Sequence, residues 1–286
     1  MQELEVGSDA HKVTFCRVFV DTFHPYEVRE VQWPVLDDEE LARLRALPFW
    51  HEAVGSERTA AARVAAMADV EPDPVLREAI AMQAYEEARH ADLVTSLMRH
   101  YGISVPEMAP QRPRDAEWGF LRMGYGECFD SFFAFGLFRI AADSGIFPRP
   151  LVQRFDGVMQ EEARHILFFA NWVAYRGLQL PYHLRPRFLV RRGLGMSVQA
   201  LARARTALEM HQGTVNEDNF TMQVPESIGE VTLTKLAQIC LDENERRLGI
   251  YDERLIRPRF VPRLVRWALR TGAVSSPNGN GTGAAG

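Results

Sequence analysis

The pentapeptide Glu-Glu-Ala-Arg-His occupies residues 86–90 and recurs, unchanged, at residues 161–165. In a helix, three residues turn the chain by about 300° and advance it by about 4.5 Å, so residues three apart share a face. Glu87 with His90, and Glu162 with His165, would each present a carboxylate and an imidazole in one direction. A single copy reads equally well as a solvated helix face of mixed charge. Two copies favour a divalent transition ion as the shared target, and ligands of this kind without a thiolate suit iron or manganese rather than structural zinc.

Such a pair of ligand faces needs partners at the same height on neighbouring helices. Glu57 precedes Glu87 by 30 residues, with a midpoint at Pro72, inside the helix-breaking run 70–74. Glu127 precedes Glu162 by 35 residues, with its midpoint at Ser144 and Gly145, inside the turn expected over 143–150. Residues equally far from the turn of an antiparallel hairpin lie side by side, here roughly 22 Å from each loop. Six ligands are therefore predicted to converge: Glu57, Glu87, His90, Glu127, Glu162 and His165. Glu52 is the rival to Glu57, but it lies nearer the helix start and misses the plane of Glu87. Buried carboxylates repel each other, and two divalent cations would neutralise four of them.

The elements that must hold these residues follow from breakers and periodicity. Residues 1–36 carry Pro25, Pro34 and aromatic or β-branched residues without a sustained helical period, and read as an irregular arm lying on the main body. Asp37-Asp38-Glu39-Glu40 opens a short helix, acid-first as the helix dipole favours. Long helices are predicted over 48–68, 74–101, 116–142 and from 150 to about 176, the second stopped by Gly102. The expectation is an all-α protein: a four-helix bundle over 37–180, accessory helices over 181–271, and a disordered Gly- and Asn-rich tail over 272–286. The accessory helices are placed at 187–212 and 226–248, around a polar loop at 216–219.

Composition narrows the function classes. At 286 residues and 47% hydrophobic content the chain can bury a large core, and a net charge of −5 argues against general nucleic-acid binding. Three widely spaced cysteines, Cys16, Cys128 and Cys240, fit neither a disulfide framework nor a zinc cluster and read as reduced thiols in a cytoplasmic protein. No run of 18 apolar residues occurs, so no membrane span is expected.

One glutamate from each of two helices plus a Glu-x-x-His from each of the other two resembles the ferritin-like di-iron carboxylate proteins. The likeness covers residues 48–176 and extends to bacterioferritins and bacterial multicomponent monooxygenases. It implies that Glu86 and Glu161 hydrogen-bond the imidazole of the opposite repeat, with Arg89 and Arg164 beside them. It implies two iron ions, or manganese or a mixed pair, with O₂ as co-substrate. Ser131, one turn after Glu127, would then be a proton relay of the kind those oxygenases carry. Asp130 shares the face of Glu127 and reads as a ligand, an acceptor behind the ligands or a surface acid, with the acceptor preferred.

The activity the resemblance implies is a di-iron oxidase or oxygenase that hydroxylates, desaturates or N-oxygenates a small, partly apolar substrate, free or held by a carrier protein. A reductase would supply electrons, and a homodimer is the expected assembly. The rivals are a ferroxidase and an oxidase like the ribonucleotide reductase small subunit, for which Tyr85 and Tyr125 are candidate radical sites. Small residues near the ligands, among them Ala60, Ala84 and Gly124, leave room for a substrate cavity walled by phenylalanines. The basic, amphipathic stretch 254–270 reads as a closing helix, or as a docking surface for an acidic partner.

Overall fold

The computed structural model describes residues 4–145, 147–211 and 232–272, with the side chains of 206–211 outside that description. Among the described residues there are nine α-helices and no strand: α1 (Asp9–Asp21), α2 (Asp38–Ala46), α3 (Trp50–Val70), α4 (Pro74–His100), α5 (Ala116–Ser144), α6 (Arg149–Gln179), α7 (Arg185–His211), α8 (Leu233–Gly249) and α9 (Phe260–Thr271). None of them is long and apolar enough to cross a membrane. The three cysteines are free. The predicted loop at 216–219, the predicted start of the second accessory helix at 226, and residues 273–286 of the tail lie outside the described residues.

Local chemistry explains where the long helices begin. Asp73 accepts from the backbone N–H groups of Val75 and Leu76 at 2.9 and 3.3 Å, and Pro74 supplies a first helical residue that needs no donor. Asp115 caps α5 by accepting from the Trp118 N–H at 2.9 Å. Asp37 and Glu40 form a reciprocal capping box at the start of α2. Helix α5 stops at Gly145, whose φ of +66° is left-handed and favours glycine.

Helix α3 pairs with α4 and also packs on α5, and α5 in turn meets α6, α7 and α8. The core between them is aromatic: Phe120, Phe135, Phe168, Phe169 and Trp172 are each at most 1% exposed. Phe120 and Trp172 meet edge to face at 4.8 Å between centroids. Helices α5 and α8 approach closely at Gly136, where an added Cβ would lie 2.3 Å from Cys240 Sγ and 3.0 Å from the Cys240 backbone. Gly136→Ala must push the helices apart and is expected to cost about 1–3 kcal/mol. Urea denaturation would check this, and an unchanged midpoint would contradict the close packing.

The expectation of an irregular N-terminal arm needs correction. The segment does lie on the main body, but residues 9–21 of it are helix α1, packed on α4 and α6. Tertiary burial decides this: Phe15 and Phe19 are each 1% exposed, and both meet Phe168 of α6. His11 is fully buried and shares a 2.9 Å hydrogen bond with Asn171 of α6. Lys12 ties α1 to the cap of α4 through Asp73 at 2.6 Å. The closing helix is shorter than the basic stretch suggests, because residues 254–259 precede α9 as a turn and an irregular segment.

Candidate metal centre

Helices α3, α4, α5 and α6 bring the six predicted ligands together. His90 turns Nδ1 inward, 3.1 Å from Glu162 Oε1 and 3.6 Å from Glu57 Oε2. His165 does the same, with Nδ1 3.0 Å from Glu87 Oε1 and 3.7 Å from Glu162 Oε2. The two imidazole centroids are 5.7 Å apart. Glu57, Glu87, His90 and Glu162 offer ligand atoms that all lie within 4.8 Å of one another, and Glu87, Glu127 and His165 form a second such group.

The outward nitrogens are held in place. His90 Nε2 lies 2.7 Å from Glu161 Oε2, and His165 Nε2 lies 2.9 Å from Glu86 Oε2. Each imidazole therefore bonds an acid of the opposite repeat, whose carboxylate favours a proton on Nε2 and leaves the Nδ1 lone pair for a cation. Arg89 donates to Glu161 at 2.6 Å, and Arg164 pairs with Glu86. The N-terminal segment closes this layer. Arg164 donates to the Phe19 carbonyl at 2.9 Å and Arg89 to the His24 carbonyl at 3.2 Å.

Charge accounting separates the layers. Glu86 and Glu161 are balanced by Arg164 and Arg89, which leaves the inner carboxylates of Glu57, Glu87, Glu127 and Glu162 without guanidinium partners among the described residues. Two divalent cations would balance those four. The donor atoms fit such ions. Glu127 Oε1 and Gln83 Oε1 are buried with no hydrogen-bond partner among the described residues, and His90 Nδ1 and His165 Nδ1 make no aligned hydrogen bond although carboxylate oxygens lie 3.1 and 3.0 Å away.

Without cations the cluster holds protons instead. Burial pushes the Glu57 carboxyl up to about 8 and raises Glu127 well above the usual carboxylate range, with neighbouring carboxylates adding to the shift of Glu127. Desolvation opposes charge on His90 and His165, yet the surrounding carboxylates outweigh it and raise both imidazoles well above 6.5. Burial likewise opposes charge on Glu162, but His165 and His90 overcome it and hold that carboxyl low.

The sign of the pH effect follows from these directions. A group raised on folding contributes stability that is present below its unfolded pKa, 4.5 for Glu57 and 6.5 for the histidines, and is lost as pH rises through its folded value. Glu162, shifted the other way, has its contribution in full above 4.5. The metal-free protein should therefore weaken from mildly acid pH to about 8, while cation binding strengthens as the ligands lose protons. Thermal denaturation with and without Mn²⁺ should show a stabilisation that grows between about pH 6 and about pH 8. A gap independent of pH would contradict the protonated cluster.

Two expected roles sort differently. Ser131 is buried on α5 with Oγ 3.5 Å from Glu162 Oε2, so its hydroxyl does face the cluster. Asp130, expected as an acceptor behind the ligands, instead pairs with Arg203 of α7, with Nε 3.1 Å from Oδ1. Sharing a face with Glu127 did not decide its partner, because α7 supplies a guanidinium there. Gln83 went unpredicted: it is fully buried, with Nε2 3.4 Å from Glu87 Oε1 and 3.5 Å from Glu127 Oε2. Its place one helical turn before Glu87 was the available signal.

Neither predicted tyrosine faces the ligands through a recorded contact. Tyr85 is 51% exposed, and the Tyr125 hydroxyl meets Arg192 at 3.4 Å. Tyr26 lies beside this layer, its ring 4.0 Å from the Arg89 guanidinium and its buried hydroxyl without an aligned hydrogen bond among the described residues. The room expected at Gly124 is filled, since a Cβ there would fall 2.2 Å from the Phe169 ring. Comparison of the chain with protein-family models, with curated proteins and with solved structures returns no match.

Proposed function

We propose that this protein is a non-haem di-iron oxidase or oxygenase on a ferritin-like bundle, using O₂ to hydroxylate, desaturate or N-oxygenate a small organic substrate. One observation carries the reading: both repeat histidines turn Nδ1, which makes no aligned hydrogen bond, toward four carboxylates that have no guanidinium partner among the described residues. A purely structural polar core would pair those nitrogens.

Glu57, His90 and Glu162 would hold one ion and Glu127, His165 and Glu87 the other, with Glu87 also within reach of the first group. The chemistry such an iron pair supplies when bound is redox and Lewis-acid chemistry toward oxygen. The chain's own residues do the remaining work. Glu86 and Glu161 fix the imidazoles, Arg164 and Arg89 pair with those acids, and Phe19 lies against both Arg164 and the His165 ring, where it limits water. Ser131 Oγ can hold a proton beside Glu162, and the Gln83 amide steadies Glu87 and Glu127. A reductase remains the expected source of electrons.

A second reading, an oxidase that converts a tyrosine as the ribonucleotide reductase small subunit does, is favoured by one feature: the buried hydroxyl of Tyr26, beside Arg89 and without an aligned hydrogen bond among the described residues. Anaerobic loading with ferrous iron followed by rapid mixing with O₂ distinguishes the cases. The oxygenase reading expects optical changes complete within seconds and faster in the presence of an oxidisable organic compound. A tyrosyl radical signal lost in Tyr26→Phe would favour the second reading, mineral formation at high iron load would favour iron storage, and the absence of any oxygen consumption would refute all three.

A further inference from the structure

A pocket of about 390 Å³ lies between α5, α6 and α7 and is closed by Asn244 of α8 and the segment that leads into α9. None of the six clustered ligands lines it. Its size falls in the range of small-molecule sites. Its walls are apolar, with Phe129 from α5, Phe169 and Val173 from α6, Met196 from α7 and Phe260 from α9. The wall residue Ile256 is clamped, because the Asn171 amide bonds both its N–H, at 2.9 Å, and its carbonyl, at 3.0 Å. These two bonds fix the backbone of one wall.

The charged groups in it are all of one sign. Arg192 and Arg259 line the pocket, and neither forms an ion pair with an acid among the described residues. Arg192 is half-buried, and its recorded hydrogen bond is the long one to the Tyr125 hydroxyl, at 3.4 Å. Asn244 is 9% exposed, and its amide makes no hydrogen bond to the described residues. No aspartate or glutamate lines the pocket. This contrasts with the surrounding surface, where Arg191 pairs with Asp115 at 2.8 Å and Arg203 with Asp130.

An apolar chamber with two unneutralised guanidiniums and a spare amide is complementary to a ligand of opposite make-up. We infer that this pocket binds a small molecule with an apolar body and an anionic head, either a carboxylate or a phosphate ester. The guanidiniums and the Asn244 amide would take the head, and the phenylalanines and Met196 the body. The inference does not depend on the metal centre, and binding is measurable whether or not iron is present.

The test is calorimetric titration of the full chain with octanoate, octyl phosphate and octanamide. One or both anions should bind saturably, the tighter of the two naming the head group, and the neutral amide should bind about tenfold more weakly or not at all. Arg192→Met combined with Arg259→Met should bring anion affinity down to that of the amide, with the helical circular dichroism unchanged. Met196→Trp, at a half-exposed position, should fill the chamber and remove binding of all three. Absence of saturable binding by either anion, equal binding of the amide, or full affinity in the double arginine variant would overturn the inference.

Discussion

Glu87→Ala is expected to empty both metal positions, whereas His165→Ala should empty one. The difference follows from reach: Glu87 belongs to both ligand groups, with one oxygen 3.0 Å from His165 Nδ1, so its loss opens both at once. His165 serves only the group formed with Glu87 and Glu127. Even disturbing the groups behind metal ligands costs about 10–100-fold in affinity, so deleting a ligand should cost more. Iron retained after anaerobic loading and desalting should fall from about two per chain to about one in His165→Ala and toward none in Glu87→Ala, counting one ion per ligand group. Oxygen consumption should vanish in both, because the proposed chemistry needs the pair. Full iron content in either variant would contradict the ligand assignment.

Glu86→Ala should do the largest damage to stability. Glu86 is fully buried, accepts from His165 Nε2 and is paired with Arg164, which is 2% exposed. Removing the acid leaves a buried guanidinium facing a cavity and releases the imidazole, a change of the kind that costs about 3–5 kcal/mol. A drop in melting temperature on the order of 10 °C is expected in the metal-free protein. Glu86→Gln should recover part of the loss, since its amide oxygen can still accept from His165 while the charge pair stays broken. A melting temperature within a degree or so of the parent's would mean that Arg164 is satisfied by the Phe19 carbonyl and the Phe19 ring alone.

The site was more legible in the sequence than the fold around it, for a physical reason. Glu87, His90, Glu162 and His165 declare themselves because helical geometry turns a three-residue spacing into a shared face, and the midpoint rule then finds Glu57 and Glu127. The boundaries of α4 and α5 were legible as well, since Asp73-Pro74, Asp115 and Gly145 are local signals that need no tertiary partner. Helix α1 was not, because its β-branched Val13, Thr14, Val18 and Val20 weaken its own propensity and its stability comes from the distant Phe168 and Asn171. Asp130 and His11 show the same limit. Each is a polar side chain whose partner lies more than 70 residues away, Arg203 for one and Asn171 for the other, and only the packing of α7 and α6 reveals it.

The central claim is that the inward Nδ1 atoms of His90 and His165 each face a metal position. Diffraction from crystals loaded anaerobically with ferrous iron, recorded on either side of the iron absorption edge, tests it most directly. Two anomalous peaks are expected in the cluster, one bonded to His90 Nδ1 together with Glu57 and the other to His165 Nδ1 together with Glu127. Protein fully equilibrated with iron that shows no anomalous signal between those nitrogens, or shows it only at surface carboxylates, would contradict the account.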